Sequence, residues 1–278
     1  MSTVTISAQD INKLRQATGA GMMDCRKALT ETNGDFEAAI DWLRKQGQKV
    51  AAKRSDREAK EGVVIAQTTA DHKTGIVVCV SCETDFVSKN ADFVAFGKSI
   101  ADAAIANNVN NLEELMAVKI GELTVAGLVD EKLATIGEKI GVTKFQRVDA
   151  PYVASYIHGA YRIGVLVGLN KEAADAGKDV AMQIAALNPV AVDASSVPAD
   201  VIAREKDIVM ELMKQDPKMA GKPEEMLTKI AEGKMGAFFK EQTLVAQSFV
   251  KDASKTVGDY LKESGDVTVT TFKRVALG

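Results

Sequence analysis

Aromatic residues, cysteines and long apolar runs are scarce in this sequence, and each scarcity excludes something. Aromatics make up 5% of 278 residues, with a single Trp, so the core must be built mainly from Val, Ile, Leu and Ala. Three cysteines, an odd number in a long chain, argue against a disulfide framework and fit a reducing cytosol. No stretch approaches the ~20 apolar residues of a membrane span. The opening Met1-Ser2-Thr3-Val4 carries no signal-peptide pattern. An excess of either charge is lacking too. Lys plus Arg (35) nearly balance Asp plus Glu (38) for a net −3, which leaves no basic excess to neutralise phosphates. A cytoplasmic protein is expected, with neither membrane nor nucleic acid as its main partner.

Catalytic and metal motifs are equally sparse. Cys79-Val80-Ser81-Cys82 has redox or zinc spacing, but it lies inside a β-branched run. Residues three apart on a strand point to opposite faces, and no second Cys/His pair follows. His72 falls in a turn with no partner nearby in sequence, so it reads as a solvated turn residue. Thr18-Gly19-Ala20-Gly21 lacks the Gly-Lys-Ser/Thr and preceding strand of a phosphate loop. No Gly-x-Ser-x-Gly or paired-carboxylate arrangement stands out. The expectation is a non-enzyme without metal or cofactor.

What is present begins with three short helical patterns over residues 7–47. Ser7 with Asp10 makes a cap-like start, Ile11 and Leu14 share a face, and the glycine-rich turn ends the first helix. Met22, Cys25, Ala28 and Leu29 mark the second helix, which stops at Asn33-Gly34. Asp35 caps the third, where Phe36, Ile40 and Leu43 recur before Gly47. A three-helix bundle of about 45 residues is marginal alone, and such modules usually present a loop or helix face to another protein. Met22 and Met23 are adjacent, hence about 100° apart on a helix, and cannot both face one small core. Either Met22 fills a gap beside a solvated Met23, or the pair forms an adaptable thioether surface. Arg15 and Arg26 flank the same turn.

Residues 48–61 carry Lys49, Lys53, Arg54, Asp56, Arg57, Glu58, Lys60 and Glu61, a solvated linker and a domain boundary. Val63 to Gln67 and Ile76 to Ser81 then form a hairpin, and helical patterns cover 91–107, 112–119 and 125–136. The strand Val142 to Val148 has a twin at Val269 to Val275. Both read Val-Thr-x-Phe-x-Arg-Val, offset by 127 residues (269 − 142). A second hairpin, Tyr152 to Ile157 with Ile163 to Asn170, opens the later section. The fold class is therefore α+β, with the bundle (1–47) followed by two related subdomains (62–149 and 150–278). Each is a three-stranded antiparallel sheet with helices, because a hairpin and a later strand must bury one face. Two amphipathic stretches around Gly221-Lys222-Pro223 add an inserted helical hairpin at about 199–232. A short helix capped by Ser254, with Val257 and Leu261 facing inward, leads to the last strand.

Cys82-Glu83-Thr84-Asp85-Phe86-Val87 lies on a strand-to-helix connection, ahead of a helix opened by Asn90-Ala91-Asp92. Connections carry function more often than core elements do. An aromatic there is either a plug folded back into the core or a peg offered to a partner, and local pattern leaves both open.

Thr18-Gly19-Ala20-Gly21-Met22-Met23-Asp24-Cys25-Arg26-Lys27-Ala28-Leu29 followed by Asn33-Gly34-Asp35 resembles the N-terminal signature of the bacterial translation elongation factor Ts family. Cys82-Glu83-Thr84-Asp85-Phe86-Val87 resembles its second signature. His158-Gly159 with Arg162-Ile163-Gly164-Val165-Leu166-Val167 resembles a third. The three occur in the expected order and separations, and the resemblance covers nearly the whole chain. It implies a guanine nucleotide exchange factor that binds elongation factor Tu in its GDP-bound and nucleotide-free states, displaces magnesium and releases GDP. It further implies a ubiquitin-associated-type bundle. Thr84, Asp85, Phe86 and Val87 would act at the partner's magnesium site, with Asp85 and Phe86 wedged between its helices. Arg15, Met22, Met23 and Arg26 would touch its GTPase domain, and His158 its C-terminal domain. Arg26 stands where the family often has Lys, which keeps the charge and alters the hydrogen bonding. Some members carry a further helix after the last strand, which Ala276-Leu277-Gly278 does not supply, and affinity is expected to be lower by its contact. The alternative is a non-exchange adaptor whose bundle binds a ubiquitin-like or other helical partner.

Overall fold

The computed structural model describes residues 6–53, 57–219 and 221–278, with side chains described from residue 57 onward and up to 47. The linker charges Lys49, Lys53, Arg54 and Asp56 lie outside the described side chains. The chain runs α1 (Ala8–Thr18), α2 (Met22–Glu31), α3 (Phe36–Lys53), β1 (Glu61–Thr68), β2 (Thr74–Cys82), α4 (Asp85–Ser88), α5 (Ala91–Ala106) and α6 (Leu112–Ala117). It continues with β3 (Lys119–Ile120), β4 (Leu123–Thr124), α7 (Val125–Ile136), β5 (Gly141–Asp149), β6 (Tyr152–His158), β7 (Ile163–Leu169), α8 (Ala174–Leu187) and α9 (Ala199–Gln215). Then come α10 (Glu224–Gln242), β8 (Ser248–Phe249), β9 (Asp252–Thr256), α11 (Val257–Glu263) and β10 (Val269–Ala276).

α1 to α3 form the expected bundle around Leu14, Cys25, Ala28, Leu29, Ala39 and Leu43. The start of α1 is a reciprocal cap. Ser7 Oγ accepts the Asp10 N–H at 3.0 Å, and Asp10 accepts the Ser7 N–H at 3.3 Å. The third helix does not stop at Gly47. That glycine is buried within α3, and a Cβ on it would lie 2.5 Å from Ala134 Cβ of α7. Its missing side chain serves a close helix crossing rather than a helix end, and the bundle is thereby seated on α7.

Two three-stranded antiparallel sheets follow, ordered β1-β2-β5 and β10-β7-β6. In each the hairpin's second strand is central and the twin strand pairs along its free edge. The equivalence extends to irregularities. The β2/β5 register skips Thr143 and the β7/β10 register skips Thr270, so a bulge falls on the same Thr of both Val-Thr-x-Phe-x-Arg-Val copies. Arg147 Nη1 donates to Val109 O at 3.2 Å and Arg274 Nη2 to Ala185 O at 3.3 Å. Each repeat arginine thus satisfies a carbonyl near the end of its backing helix.

The sheets also pack on each other. Val64, Ala66, Val77, Cys79 and Val148 meet Val153, Leu166 and Val275 between them. α5, α6 and α7 cover the far side of the first sheet, and α8 and α11 that of the second. β2 is therefore buried on both faces, which is why its sequence is a nearly continuous β-branched run rather than an alternation. Gly164 lies at the contact, where a Cβ would sit 2.7 Å from both Val64 and Val77 side chains. The hairpin tips reach across as well. The His72 carbonyl accepts the Val153 N–H at 2.6 Å and the Tyr161 carbonyl accepts the Val64 N–H at 2.8 Å. His72 is thus more than a solvated turn residue: its ring stacks on Tyr152 at 5.1 Å between centroids.

α9 and α10 make the helical hairpin, longer than 199–232 because α10 continues to Gln242. Its own small cluster of Val209, Met213 and Met235 shares no buried residue with the sheet cores. Backbone bonds such as Val190 N–H to Gln242 O tie its base to the second subdomain. Replacing 199–232 by a short Gly/Ser loop should therefore leave the melting temperature of the core nearly unchanged, because loop closure costs little. A fall as large as that from losing a central helix in calorimetry would place the hairpin in the core. The last short helix is capped by Thr256 rather than Ser254. Thr256 Oγ1 accepts the Asp259 N–H at 3.1 Å and Asp259 bonds back, whereas Ser254 sits in β9 with its hydroxyl on Asp252.

Candidate functional site

The connection after β2 is one turn of helix, α4, with Thr84 in extended conformation ahead of it. Phe86 projects from that turn with 84% of its surface exposed, while Val87 packs back against the first core cluster. Burying a Phe is worth roughly 1.5–3 kcal/mol, and Phe86 forgoes that gain. The plug alternative does not describe this side chain. Asp85 pairs with Lys89 at 2.6 Å. Hydrogen bonding and charge from Lys89 hold the Asp85 carboxyl below the usual carboxylate range.

The turn is fixed from behind by Glu138 and Lys139, which sequence reasoning did not single out, together with Glu83 and Arg57. Glu138 accepts the Thr84 hydroxyl at 2.7 Å and the Thr84 N–H at 3.1 Å. Glu83 accepts the Lys139 N–H at 2.6 Å and Arg57 Nη1 at 3.0 Å. Lys139 Nζ in turn reaches the Arg57 carbonyl at 2.9 Å. The only local mark of this network is Gly137-Glu138 directly after α7, where Gly137 closes the helix at φ 78°.

Met22 and Met23 open α2 after Gly21 and are 57% and 72% exposed. Met22 is not a gap-filler, since Cys25, Ala28 and Leu29 complete the bundle core without it. Arg15 and Arg26 are exposed beside the same turn, so four of the expected side chains share one end of the bundle. Thr84, Asp85, Phe86 and Val87 share another place, the α4 turn. His158 belongs to neither group. It ends β6, exposed, with Nδ1 3.1 Å from the Tyr156 hydroxyl, ahead of Gly159, Ala160 and Tyr161, all at positive φ.

Cys79 and Cys82 lie on opposite faces of β2, the first between the sheets and the second under α5. Burial raises the Cys79 thiol pKa. Burial, reinforced by the nearby Glu138 charge, pushes Cys82 up to about 12. Because the thiolate is the nucleophile, Cys82 should resist iodoacetamide at pH 8 in the native protein and react on unfolding. Rapid native labelling of Cys82 in a mass-spectrometric time course would contradict that environment. Among the described residues no group of three or more His, Cys, Asp or Glu is arranged to hold a metal, and no helix is long and apolar enough to cross a membrane.

A family profile described as Elongation factor TS matches residues 83–278. Elongation factor Ts of Christiangramia forsetii is 46% identical over 277 residues, covering 98% of this chain and 99% of that protein. Elongation factor Ts of Flavobacterium psychrophilum is 46% identical over 278 residues, covering 99% of each chain. Elongation factor Ts of Methylococcus capsulatus is 45% identical over 281 residues, covering 99% of this chain and 93% of the relative. With matches that span nearly the whole chain and include the Phe86 turn, the chain belongs to the elongation factor Ts family of translation elongation factors.

Proposed function

We propose that this chain is a guanine nucleotide exchange factor for elongation factor Tu, binding its GDP form and releasing GDP so that GTP can enter. The observation that carries the reading is Phe86, a fully presented aromatic on a turn whose backbone is clamped from behind. Aromatic anchors of this kind dominate interface energetics. Inserted between helices of the partner, the ring and the adjoining Asp85 shift the elements that hold the partner's magnesium ion. Loss of that charge beside the phosphates weakens the nucleotide. The Met22/Met23 end of the bundle, with Arg15 and Arg26, supplies an adaptable and cationic contact to the GTPase domain. His158 supplies a contact to the partner's C-terminal domain.

No covalent chemistry is required of the chain. Factor and nucleotide are linked by a coupling free energy, so the ratio by which the factor weakens GDP is the ratio by which GDP weakens the factor. GTP then displaces the factor by the same linkage. Purified elongation factor Tu loaded with a fluorescent GDP tests the reading directly. With excess unlabelled GDP present to displace the factor, substoichiometric protein should accelerate release of the whole labelled pool, because each factor molecule turns over. An adaptor would bind without accelerating release, and that outcome would overturn the proposal.

A further inference from the structure

We infer that Glu138 is the positioning residue of the Phe86 turn and registers it to α7, the helix on which the N-terminal bundle sits; this rests on the exchange reading above. Four residues of helix cannot hold their own conformation, since one turn does not repay its nucleation cost. The backbone bonds of α4 are few, Ser88 N–H to Thr84 O at 3.3 Å and Lys89 N–H to Asp85 O at 3.1 Å. The Asp85–Lys89 pair is exposed and weak for that reason. The geometry of the peg must be imposed from outside the turn.

Residues 138–139 and 83–84 impose it reciprocally. The Glu138 carboxylate takes both the N–H and the O–H of Thr84, and the Glu83 carboxylate takes the N–H of Lys139. These are charge-assisted bonds, stronger than neutral ones. The Thr84 hydroxyl, at the position where Thr usually caps its own helix, is committed to Glu138 instead. Glu138 is only half-buried and Val87 already anchors the turn to the core, so the clamp orients α4 without being part of the hydrophobic interior. One turn earlier, Ala134 and Thr135 face Gly47 and Gly19 of the bundle. One helix and the two residues past its closing glycine therefore carry both the seat of the bundle and the clamp on the peg.

The test compares wild type with Phe86→Ala, Glu138→Ala, Glu138→Gln and Thr84→Val, using fluorescent-GDP release from purified elongation factor Tu and amide hydrogen exchange of the free factor. Glu138→Ala should lower the maximal release rate about tenfold, the size expected for lost bonds to a charged group. The half-saturating concentration should move by less than about threefold, because the remaining contacts persist. The Ser88 and Lys89 amides should exchange faster while those of β2 do not change. Glu138→Gln should restore most of the rate, since its oxygen accepts the Thr84 N–H and its amide donates to the Thr84 hydroxyl. Thr84→Val should cost less than Glu138→Ala, and the double variant should lose less than the two combined. Wild-type release by Glu138→Ala beside a slow Phe86→Ala overturns the positioning role. So does loss of protection throughout β2, or failure of Gln to rescue. If Phe86→Ala releases GDP normally, the exchange reading fails, while the exchange of the Ser88 and Lys89 amides still decides whether Glu138 orders the turn.

Discussion

Phe86→Ala slows factor-stimulated GDP release at least about tenfold and leaves the denaturation midpoint of the free protein nearly unchanged. The two halves of this expectation come from one observation, an exposure of 84%. A ring that touches little in the free chain leaves no cavity when removed, so the stability change should be that of a surface substitution, within about 0.5 kcal/mol. A buried Phe cut to Ala would instead cost about 3–5 kcal/mol. In the proposed complex the ring is the part that enters the partner. Its loss removes roughly 2–4 kcal/mol, which is about 30- to 1,000-fold at ~1.4 kcal/mol per tenfold. Urea denaturation of the free variant, run beside its stimulated release rate, checks both halves. A large loss of stability with near-normal release by the folded fraction would sink the wedge.

The backbone plan was legible in the sequence because it rests on local period. Val125 to Ile136 read as a helix and is one to the residue. The repeated Val-Thr-x-Phe-x-Arg-Val predicted two related sheets, and the shared bulge at Thr143 and Thr270 shows how far the relation extends. What failed was what depends on contacts distant in sequence. Gly47 looked like a helix stop because a glycine's missing side chain has the same local signature whether it ends a helix or admits another. Only the approach of Ala134 distinguishes the two. The face-to-face packing of the sheets was implicit in the unbroken β-branched run of β2, yet a run buried by helices on one side and a sheet on the other looks like any buried strand.

The candidate site divides the same way. That Phe86 and Met23 were available to a partner could be suspected from position, and Met22 proved to be exposed beside Met23. Which way a corner residue points is decided by what holds the corner, and here that is Glu138, 54 residues from Thr84. A single Glu after a helix-closing glycine carries no distinguishing pattern. Ser254 was a poorer cap than Thr256 for a local reason, since Thr256 has an acid three residues on, Asp259, to complete the reciprocal bonds.

Deleting residues 1–47 should give a folded core that needs at least about 30-fold more protein for half-maximal release, an effect of ~2 kcal/mol spread over the lost anchors. None of the buried side chains in the three sheet-and-helix clusters comes from this segment, whose own cluster is separate. The cost to the core is confined to α7, where Glu131, Ala134 and Thr135 line a cleft of about 220 Å³ against Trp42, Leu43 and Gly47. That face would become exposed, with a modest loss of stability and no collapse. The functional loss has two sources. Arg15, Met22, Met23 and Arg26 leave together, and α7 loses the partner that sets its position beside the Glu138 clamp. A point change separates them. Gly47→Leu would force a side chain against Ala134 and unseat the bundle while keeping all four proposed contact residues tethered. It should raise the half-saturating concentration less than the deletion does, because tethering keeps the effective concentration of the bundle high. Circular dichroism melts and titrated release rates for the three chains decide the matter. A truncated chain that unfolds would show that the bundle belongs to the core, and one that releases GDP at wild-type concentrations would remove the Met22/Met23 end from the partner interface.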